Sequence, residues 1–197
     1  MASDKAKKQR LILASGSPRR KQLMRMAGLL FTVEPADVPE IIPDGMAPEK
    51  ESEFLAAVKA GYILSQQQEK NRDALVIGAD TTVLCGGRVL GKPKDKAEAK
   101  EMLRFLSGKV HEVRTGVAIV GEEVNETFTS VTKVEFYELT DEEIDWYVST
   151  NEPMDKAGAY GIQGFGCRLV KRIEGDYFTV MGLPIAEVVR RIEKIRG

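Results

Sequence analysis

The chain has 197 residues, and 43% of them are hydrophobic, which is enough apolar material for one sizeable core or two small, closely packed lobes. This content excludes intrinsic disorder as the main description of the chain. Lys and Arg together number 29 against 30 for Asp and Glu, and the net charge of -1 argues against a large nucleic-acid surface or an acidic membrane as partner. Any polyanion that the protein binds must therefore be met by a local group of cations.

The cysteines and the start of the chain indicate the compartment. Cys85 and Cys167 form no C-x-x-C pair and cannot supply the disulfide framework of a small secreted domain. The apolar run at residues 11–14 follows a polar, basic start and is too short for a signal peptide or a membrane span. We therefore expect a soluble, cytoplasmic protein with a flexible tail at residues 1–10 and a single domain over residues 11–197.

Strands and helices are predicted to alternate along the chain. Apolar, β-branched runs predict strands at residues 11–14, 31–34, 75–79, 113–120, 127–137 and 168–173. Gly86 and Gly87 interrupt the apolar residues 83–90 and predict a hairpin there. The fold class is therefore α/β, with a mixed, twisted β-sheet flanked by helices.

Capping residues and apolar periodicity place the helices between these strands. The first is predicted to begin at Ser17-Pro18, to bury Leu23, Met24, Met26 and Ala27, and to end at Gly28. The others are predicted through residues 54–62, from Asp95 with Glu98 as a capping box, from Thr140 with Glu143 as a second capping box, and after Pro184.

The segment that joins the first strand to the first helix suits an anion. Small residues at 14–17 let a phosphate approach the backbone, and the helix start offers unpaired N–H groups and a positive dipole end. Arg19 and Arg20 in the first helical turn can add bidentate bonds. The alternative is that both arginines simply face water.

Asp80 follows the apolar run of residues 75–79, at the point where hydrophobicity stops. Ligand sites in α/β proteins tend to lie at the carboxyl ends of strands, and an aspartate there can act as a general base or hold a divalent metal. An Asx-turn or a helix cap is the alternative interpretation.

Three further residues carry weaker signals. Lys92 lies between Gly91 and Pro93, so a rigid turn fixes its position. Gln163 lies in a glycine-rich stretch, where its amide can donate to and accept from the edge of a planar base. His111 is the single histidine, which makes a zinc site or a serine triad improbable and favours a structural, hydrogen-bonded role.

Taken together, several ordered blocks resemble the Maf family of nucleoside triphosphate pyrophosphatases, which is related in fold to the inosine triphosphatases. The blocks are LASGSPRR at 13–20, GADT at 78–81, GKP at 91–93, SGKVHEVRTGVA at 107–118, DKAGAYGIQG at 155–164 and VMGLP at 180–184. The resemblance spans roughly residues 11 to 190 and implies a substrate cleft.

The resemblance also implies roles for individual residues. Asp80 matches the catalytic carboxylate that accepts a proton from the attacking water. Arg19, Thr81 and Gln163 match the positions that select the substrate. The positions that contact the phosphates match Ser15, Ser17, Arg20, Lys59 and Lys92. Glu40 matches a carboxylate that binds the metal together with Asp80.

The combination of GADT and GIQG resembles the subgroup that acts on dTTP and UTP, with CTP or modified pyrimidine nucleotides as further substrates. The implied reaction is hydrolysis between the α and β phosphates, with a divalent cation, Mg²⁺ before Mn²⁺ or Co²⁺. Two alternatives stay open: a non-catalytic nucleotide-binding regulator of cell division, and a pyrophosphatase for methylated or otherwise modified purine triphosphates. A small-molecule nucleoside triphosphate is the expected partner, and a homodimer is common in the family.

Overall fold

The computed structural model describes residues 9–67 and 73–197, which separate into two compact units. The first unit comprises the described part of Met1–Asp80, together with Thr115–Ser130 and Gly182–Gly197. The second comprises Thr81–Arg114 and Val131–Met181. The chain passes between the units three times inside a strand and once at the end of a helix, at Met181, so the sequence contains no long glycine- or serine-rich linker that would reveal the division. Residues 1–8 of the expected tail lie outside the described residues, and Arg10 already belongs to the first strand.

The described residues include the strands β1 (Arg10–Leu13), β2 (Phe31–Val33), β3 (Ala74–Cys85), β4 (Arg88–Leu90), β5 (Val110–Val120), β6 (Asn125–Phe136) and β7 (Val170–Glu174). These strands form one mixed sheet with the order β2-β1-β3-β5-β6-β7, and β4 pairs with β3. β1 is parallel to β2 and β3, whereas the β3–β4 and β6–β7 pairs are antiparallel. The predicted mixed α/β class is confirmed.

The structure contains the five helices that the sequence predicts and one further short helix, at Tyr177–Met181. They are α1 (Pro18–Met26), α2 (Glu51–Gln67), α3 (Lys96–Leu106), α4 (Asp141–Ser149), α5 (Tyr177–Met181) and α6 (Ile185–Arg196). Short 3₁₀ turns at Pro48–Lys50, Glu152–Asp155, Ala157–Ala159 and Gly164–Arg168 join some of these elements. Within the part of the chain that the structure describes, no helix is long and apolar enough to cross a membrane.

In the first unit, α2 lies closely against the sheet because the facing side chains are small. Ala56 and Ala60 of α2 are fully buried in one cluster with Ile12 and Val76. A Cβ at Gly78 would collide with the Ala56 carbonyl oxygen and would lie 2.9 Å from the Ala60 Cβ. This close approach fixes where the side chains of α2 and β3 meet.

The second unit has its own core of aliphatic and aromatic residues, to which the contacting helices α3 and α4 both contribute. The rings of His111, Phe136 and Tyr160 contact each other edge to face, with centroid separations of 4.6 to 5.4 Å. Such pairs add specific geometry to the apolar burial of the unit.

Three local predictions are wrong. β3 does not end before Asp80, because Thr81, Thr82 and Val83 are β-branched and the strand continues to pair with β4. Met26, at 64% exposure, and Ala27 are exposed instead of buried. Glu98 accepts from the Lys94 N–H and not from that of Asp95, so α3 has a side-chain N-cap without the full capping box.

Other local predictions are confirmed. Gly86 and Gly87 have φ angles of 56° and 76°, and a tight two-residue hairpin loop requires positive φ at both positions. Thr140 and Glu143 form the complete capping box of α4. Gly28, with φ of 70°, donates its N–H to the Arg25 carbonyl just after α1 ends.

Candidate functional site

The turn from β1 into α1 is closed by two serine side chains. Ser17 is the N-cap of α1, and its Oγ accepts from the Arg20 N–H at 3.5 Å. The Oγ of Ser15 accepts from the Ser17 N–H at 3.3 Å. Pro18 occupies the first helical turn, where its missing N–H costs nothing. The first turn of α1 contains no acidic residue, so the positive end of the helix dipole is not neutralised within the helix itself.

Arg20 is held in place on two sides. Its Nη1 donates to the Ser15 Oγ at 3.1 Å, and its Nε donates to the Gly182 carbonyl at 2.8 Å. Burial lowers the pKa of the Arg20 guanidinium, although the nearby Asp80 and Glu40 carboxylates raise it. The structure therefore excludes the interpretation that Arg20 simply faces water.

Lys59 lies between two carboxylates that are far apart in sequence. Its Nζ is 2.6 Å from the Glu40 Oε1 and 2.6 Å from the Asp80 Oδ1. The Lys59 and Asp80 side chains are only 11% and 13% exposed, whereas Glu40 is 49% exposed. The buried pair is thus screened weakly, and the ammonium offsets the repulsion between the two carboxylates.

Asp80 lies inside β3, and this position excludes the Asx-turn and helix-cap interpretations. Its neighbourhood includes a carboxylate that sequence analysis did not identify. Burial, followed by the negative charge of Asp80, raises the pKa of Glu51 at the start of α2. Nothing in the string around Glu51 distinguishes it from an ordinary acidic residue in a first helical turn.

Among the described residues, no group of three or more His, Cys, Asp or Glu side chains could hold a metal ion by itself. Glu40 and Asp80 nevertheless supply two carboxylates around a point where a cationic group, the Lys59 ammonium, already lies. Mg²⁺ is commonly bound by one or two carboxylates with further oxygens from water and substrate phosphates. The donor set fits a cation that arrives with a phosphate ligand.

The other predicted site residues belong to different parts of the chain. Arg19 follows Pro18 in α1 and is half-buried. Thr81, Lys92 and Gln163 belong to the second unit. Thr81 is half-buried in β3, Lys92 is exposed in the segment after β4, and Gln163 is half-buried just before the Gly164–Arg168 turn.

His111 is buried in the second unit, and its Nε2 forms a hydrogen bond of 2.8 Å with the Tyr160 hydroxyl. Burial lowers the pKa of His111 to about 4, so the ring is neutral near pH 7. The predicted structural, hydrogen-bonded role is confirmed.

Sequence analysis missed two backbone or side-chain contacts that support predicted residues. The Gly182 carbonyl orients Arg20, and the string VMGLP around it was the available signal. Glu152 binds the segment that contains Gln163, and no capping or metal-ligand pattern indicates it in the sequence.

Comparison with known proteins identifies a family and several relatives. The family model described as Maf-like protein matches residues 10–195. A protein named dTTP/UTP pyrophosphatase from Bacillus anthracis is 50% identical over 186 residues, covering 94% of this chain and 95% of that protein. Proteins of the same name from Bacillus cytotoxicus and Bacillus cereus have the same identity and coverage.

Proposed function

The chain belongs to the Maf family, and we propose that it hydrolyses dTTP and UTP to the nucleoside monophosphate and pyrophosphate. The observation that supports this proposal best is the Asp80 carboxylate beside Lys59 and Arg20. Cations around one buried carboxylate suit a reaction in which a polyanion is bound and a water loses a proton. The names of the relatives indicate which nucleotides are cleaved.

In this proposal, the first unit binds the phosphates. The N-terminus of α1, with Ser15 and Ser17, offers hydrogen-bond donors to phosphate oxygens, and Arg20 offers a preoriented guanidinium. Lys59 adds an ammonium that exchanges its carboxylate partners for phosphate oxygens, and Arg19 contributes further positive charge. These groups position the triphosphate and stabilise the charge that develops on it.

Asp80 acts as the general base. It takes a proton from the water that attacks the α phosphorus, a new P–O bond forms, and the bond between the α phosphorus and the bridging oxygen breaks. Pyrophosphate leaves with the electron pair of that bond. Glu40 and Asp80 would hold a divalent cation, Mg²⁺ in the first instance, and such an ion supplies charge neutralisation for the leaving pyrophosphate.

In the same proposal, Arg19, Thr81 and Gln163 determine which nucleotide is bound. The Gln163 amide has both a donor and an acceptor, which complement the carbonyl and N–H groups on the edge that uracil and thymine share. Adenine lacks this carbonyl and N–H pair, and guanine, which has it, is disfavoured by the larger size of a purine.

A nucleotide panel tests the proposed activity. We expect monophosphate and pyrophosphate from dTTP and UTP with Mg²⁺, and slower turnover of ATP and GTP. Binding of dTTP without products would favour the nucleotide-binding regulator, and faster cleavage of methylated or deaminated purine triphosphates would favour the modified-purine alternative. Either result would contradict the proposal.

Asp80→Asn tests the assignment of the base. The variant retains the size of the side chain and loses the proton acceptor, so we expect kcat for dTTP to fall by at least about a hundredfold. Asp73→Asn, at an exposed position just before β3, is the matched control and should retain the normal rate. Normal pyrophosphate release by Asp80→Asn would remove this carboxylate from the mechanism.

A further inference from the structure

Glu152, just after α4, uses its carboxylate to bind backbone groups of the segment at residues 161–166. Its Oε2 accepts from the Phe165 N–H at 2.9 Å, and its Oε1 accepts from the Gly166 N–H at 3.0 Å. The Oε1 also accepts from the Tyr147 hydroxyl at 3.0 Å, and that hydroxyl accepts from the Gly161 N–H at 3.1 Å. One carboxylate and one phenol therefore bind both ends of the segment, with Gln163 between the bound positions.

Glu152 and Tyr147 lie so close to two glycines of this segment that neither position has room for a side chain. A Cβ at Gly164, where φ is 62°, would lie 2.5 Å from the Glu152 Oε2. A Cβ at Gly166 would lie 2.8 Å from the Tyr147 oxygen and would collide with the Gly161 carbonyl. The backbone of the segment therefore lies in direct contact with the carboxylate, and its position depends on the hydrogen bonds that the carboxylate accepts.

Glu152 is itself fixed from the other side. Its backbone carbonyl accepts from the Lys156 Nζ at 2.5 Å, and its N–H donates to the Thr150 Oγ1 at 3.2 Å. The preceding residue, Asn151, has a φ of 60°, so the chain turns sharply between α4 and Glu152. These contacts give the carboxylate one position relative to α4.

We propose that Glu152 is a positioning residue that sets nucleobase selectivity, because it holds the segment that presents the Gln163 amide. This inference rests on the proposed function, in which Gln163 contacts the base. A glutamate suits the position because an ionised carboxylate only accepts hydrogen bonds, and its partners here are two backbone N–H groups and a hydroxyl. Phe165 and Gly166 place their N–H groups on different oxygens, so the bonds fix the orientation of the segment as well as its distance.

Glu152→Gln is the sharpest test, because the glutamine amide turns an N–H donor toward a backbone N–H or the Tyr147 hydroxyl. We expect the KM for dTTP and UTP to rise about tenfold, which corresponds to the loss of one charge-assisted bond, with kcat changed less than about threefold. The ratio of kcat/KM between dTTP and dATP should fall by about the same factor. Hydrogen exchange at the Phe165 and Gly166 amides should accelerate.

Tyr147→Phe gives a second test that keeps the packing of the buried ring. It removes the acceptor of the Gly161 N–H and one donor to Glu152, and we expect about a threefold rise in KM with the same loss of base preference. If Glu152→Gln does not fold, this variant decides the matter alone.

Glu143→Gln is the matched control, since Glu143 lies on α4, the helix that precedes Glu152, and accepts from the Thr140 N–H without touching residues 161–166. It should lower the melting temperature without changing KM or base preference. Unchanged KM and preference in Glu152→Gln, or an equal loss for every nucleotide through kcat, would overturn the role of Glu152. The wild-type rate on dTTP tests the proposed function separately.

Discussion

At the scale of single residues, Lys59 is a buried lysine whose charge is balanced by two carboxylates. Its aliphatic stem belongs to the buried face of α2, and its ammonium lies 2.6 Å from the carboxylates of both Glu40 and Asp80. A buried, charged carboxylate without such a partner would cost several kcal/mol, so the lysine stabilises the fold around Asp80.

Lys59→Met should separate this local role from a general loss of charge. We expect kcat/KM for dTTP to fall at least about tenfold, because a charged partner of the phosphates is lost. Lys100→Met removes the same charge from an exposed pair with Asp145, at 2.7 Å, and should change kcat/KM less than about twofold. Equal losses in the two variants, measured by initial rates, would contradict a specific role for Lys59.

His111 makes a separate prediction about pH. Its pKa is about 4 in the folded protein against 6.5 for an ordinary histidine, so below pH 6.5 the unfolded chain binds a proton that the folded chain does not. The contribution of His111 to the free energy of unfolding is therefore complete above pH 6.5 and falls as the pH is lowered toward 4, by about 3 kcal/mol in all.

Urea unfolding of the wild type and His111→Gln at pH 7 and pH 4.5 measures this contribution. Carboxylates titrate in both proteins, so only the difference between them reports on His111. We expect the wild type to lose about 2 kcal/mol more than the variant on acidification. Parallel losses would show that the histidine is protonated equally easily in the folded and unfolded states.

At the scale of elements, the approach of α2 to β3 decides whether Lys59 and Asp80 can meet. Gly78 leaves room only for a hydrogen, and a Cβ at Gly116 of β5 would collide with the backbone of Ser52 and Glu53. Two strands therefore lack a side chain where α2 crosses them. The helix can lie against the sheet at a depth that larger residues would prevent.

Gly78→Ala should push α2 away from β3. Overpacking of this kind costs about 1 to 3 kcal/mol, and we expect a lower melting temperature together with a reduced kcat for dTTP, because Lys59 and Asp80 separate. Gly61→Ala on the exposed side of α2 is the control, since its Cβ would meet nothing within 4 Å. It should raise stability by about 0.5 to 1 kcal/mol and leave kcat unchanged. A normal kcat in Gly78→Ala would show that the depth of the helix does not control the site.

The same scale shows what the sequence can predict. Three local signals are confirmed: the helix start at Ser17-Pro18, the Thr140 capping box and the Gly86-Gly87 turn. Each depends on backbone conformation and hydrogen bonds among residues a few positions apart, and a sequence shows such residues directly. The length of β3 is not a local property, since Asp80 to Thr82 are polar and β4, which pairs with Val83 to Cys85, lies further along the chain. The contacts of Glu152 with Phe165 and Gly166 join residues 13 and 14 positions apart, and no periodicity encodes them.

The residues of the candidate site likewise differ in how well the sequence predicts them. Residue types and ordered blocks were enough to single out Arg20 and Asp80, but Lys59 and Glu40 have no distinctive string around them. Only the tertiary structure shows that these two side chains contact each other and that Lys59 also contacts Asp80. Long-range ion pairs depend on where helices and strands are placed, and a single sequence does not contain that information in readable form.

At the scale of the whole molecule, the charges of 29 basic and 30 acidic residues nearly cancel. Arg20 and Lys59 nevertheless belong to one unit, and both lie near the carboxylates of Glu40 and Asp80. Non-specific binding to DNA depends on many exposed cations that contact successive phosphates. Lys59 is only 11% exposed, and the phosphates of a rigid duplex cannot reach it as those of a small anion can.

We therefore expect pyrophosphate to inhibit dTTP hydrolysis competitively, because it can bind the same cations as the triphosphate. A mixed-sequence duplex DNA, added at about tenfold excess of phosphate over dTTP and matched in ionic strength, should change the rate by less than about twofold. Initial rates with each competitor measure the difference. Inhibition by duplex DNA as strong as that by pyrophosphate would mean that the cations form an open surface, and the near-zero net charge would then conceal a polyanion-binding face instead of a site for one small polyphosphate.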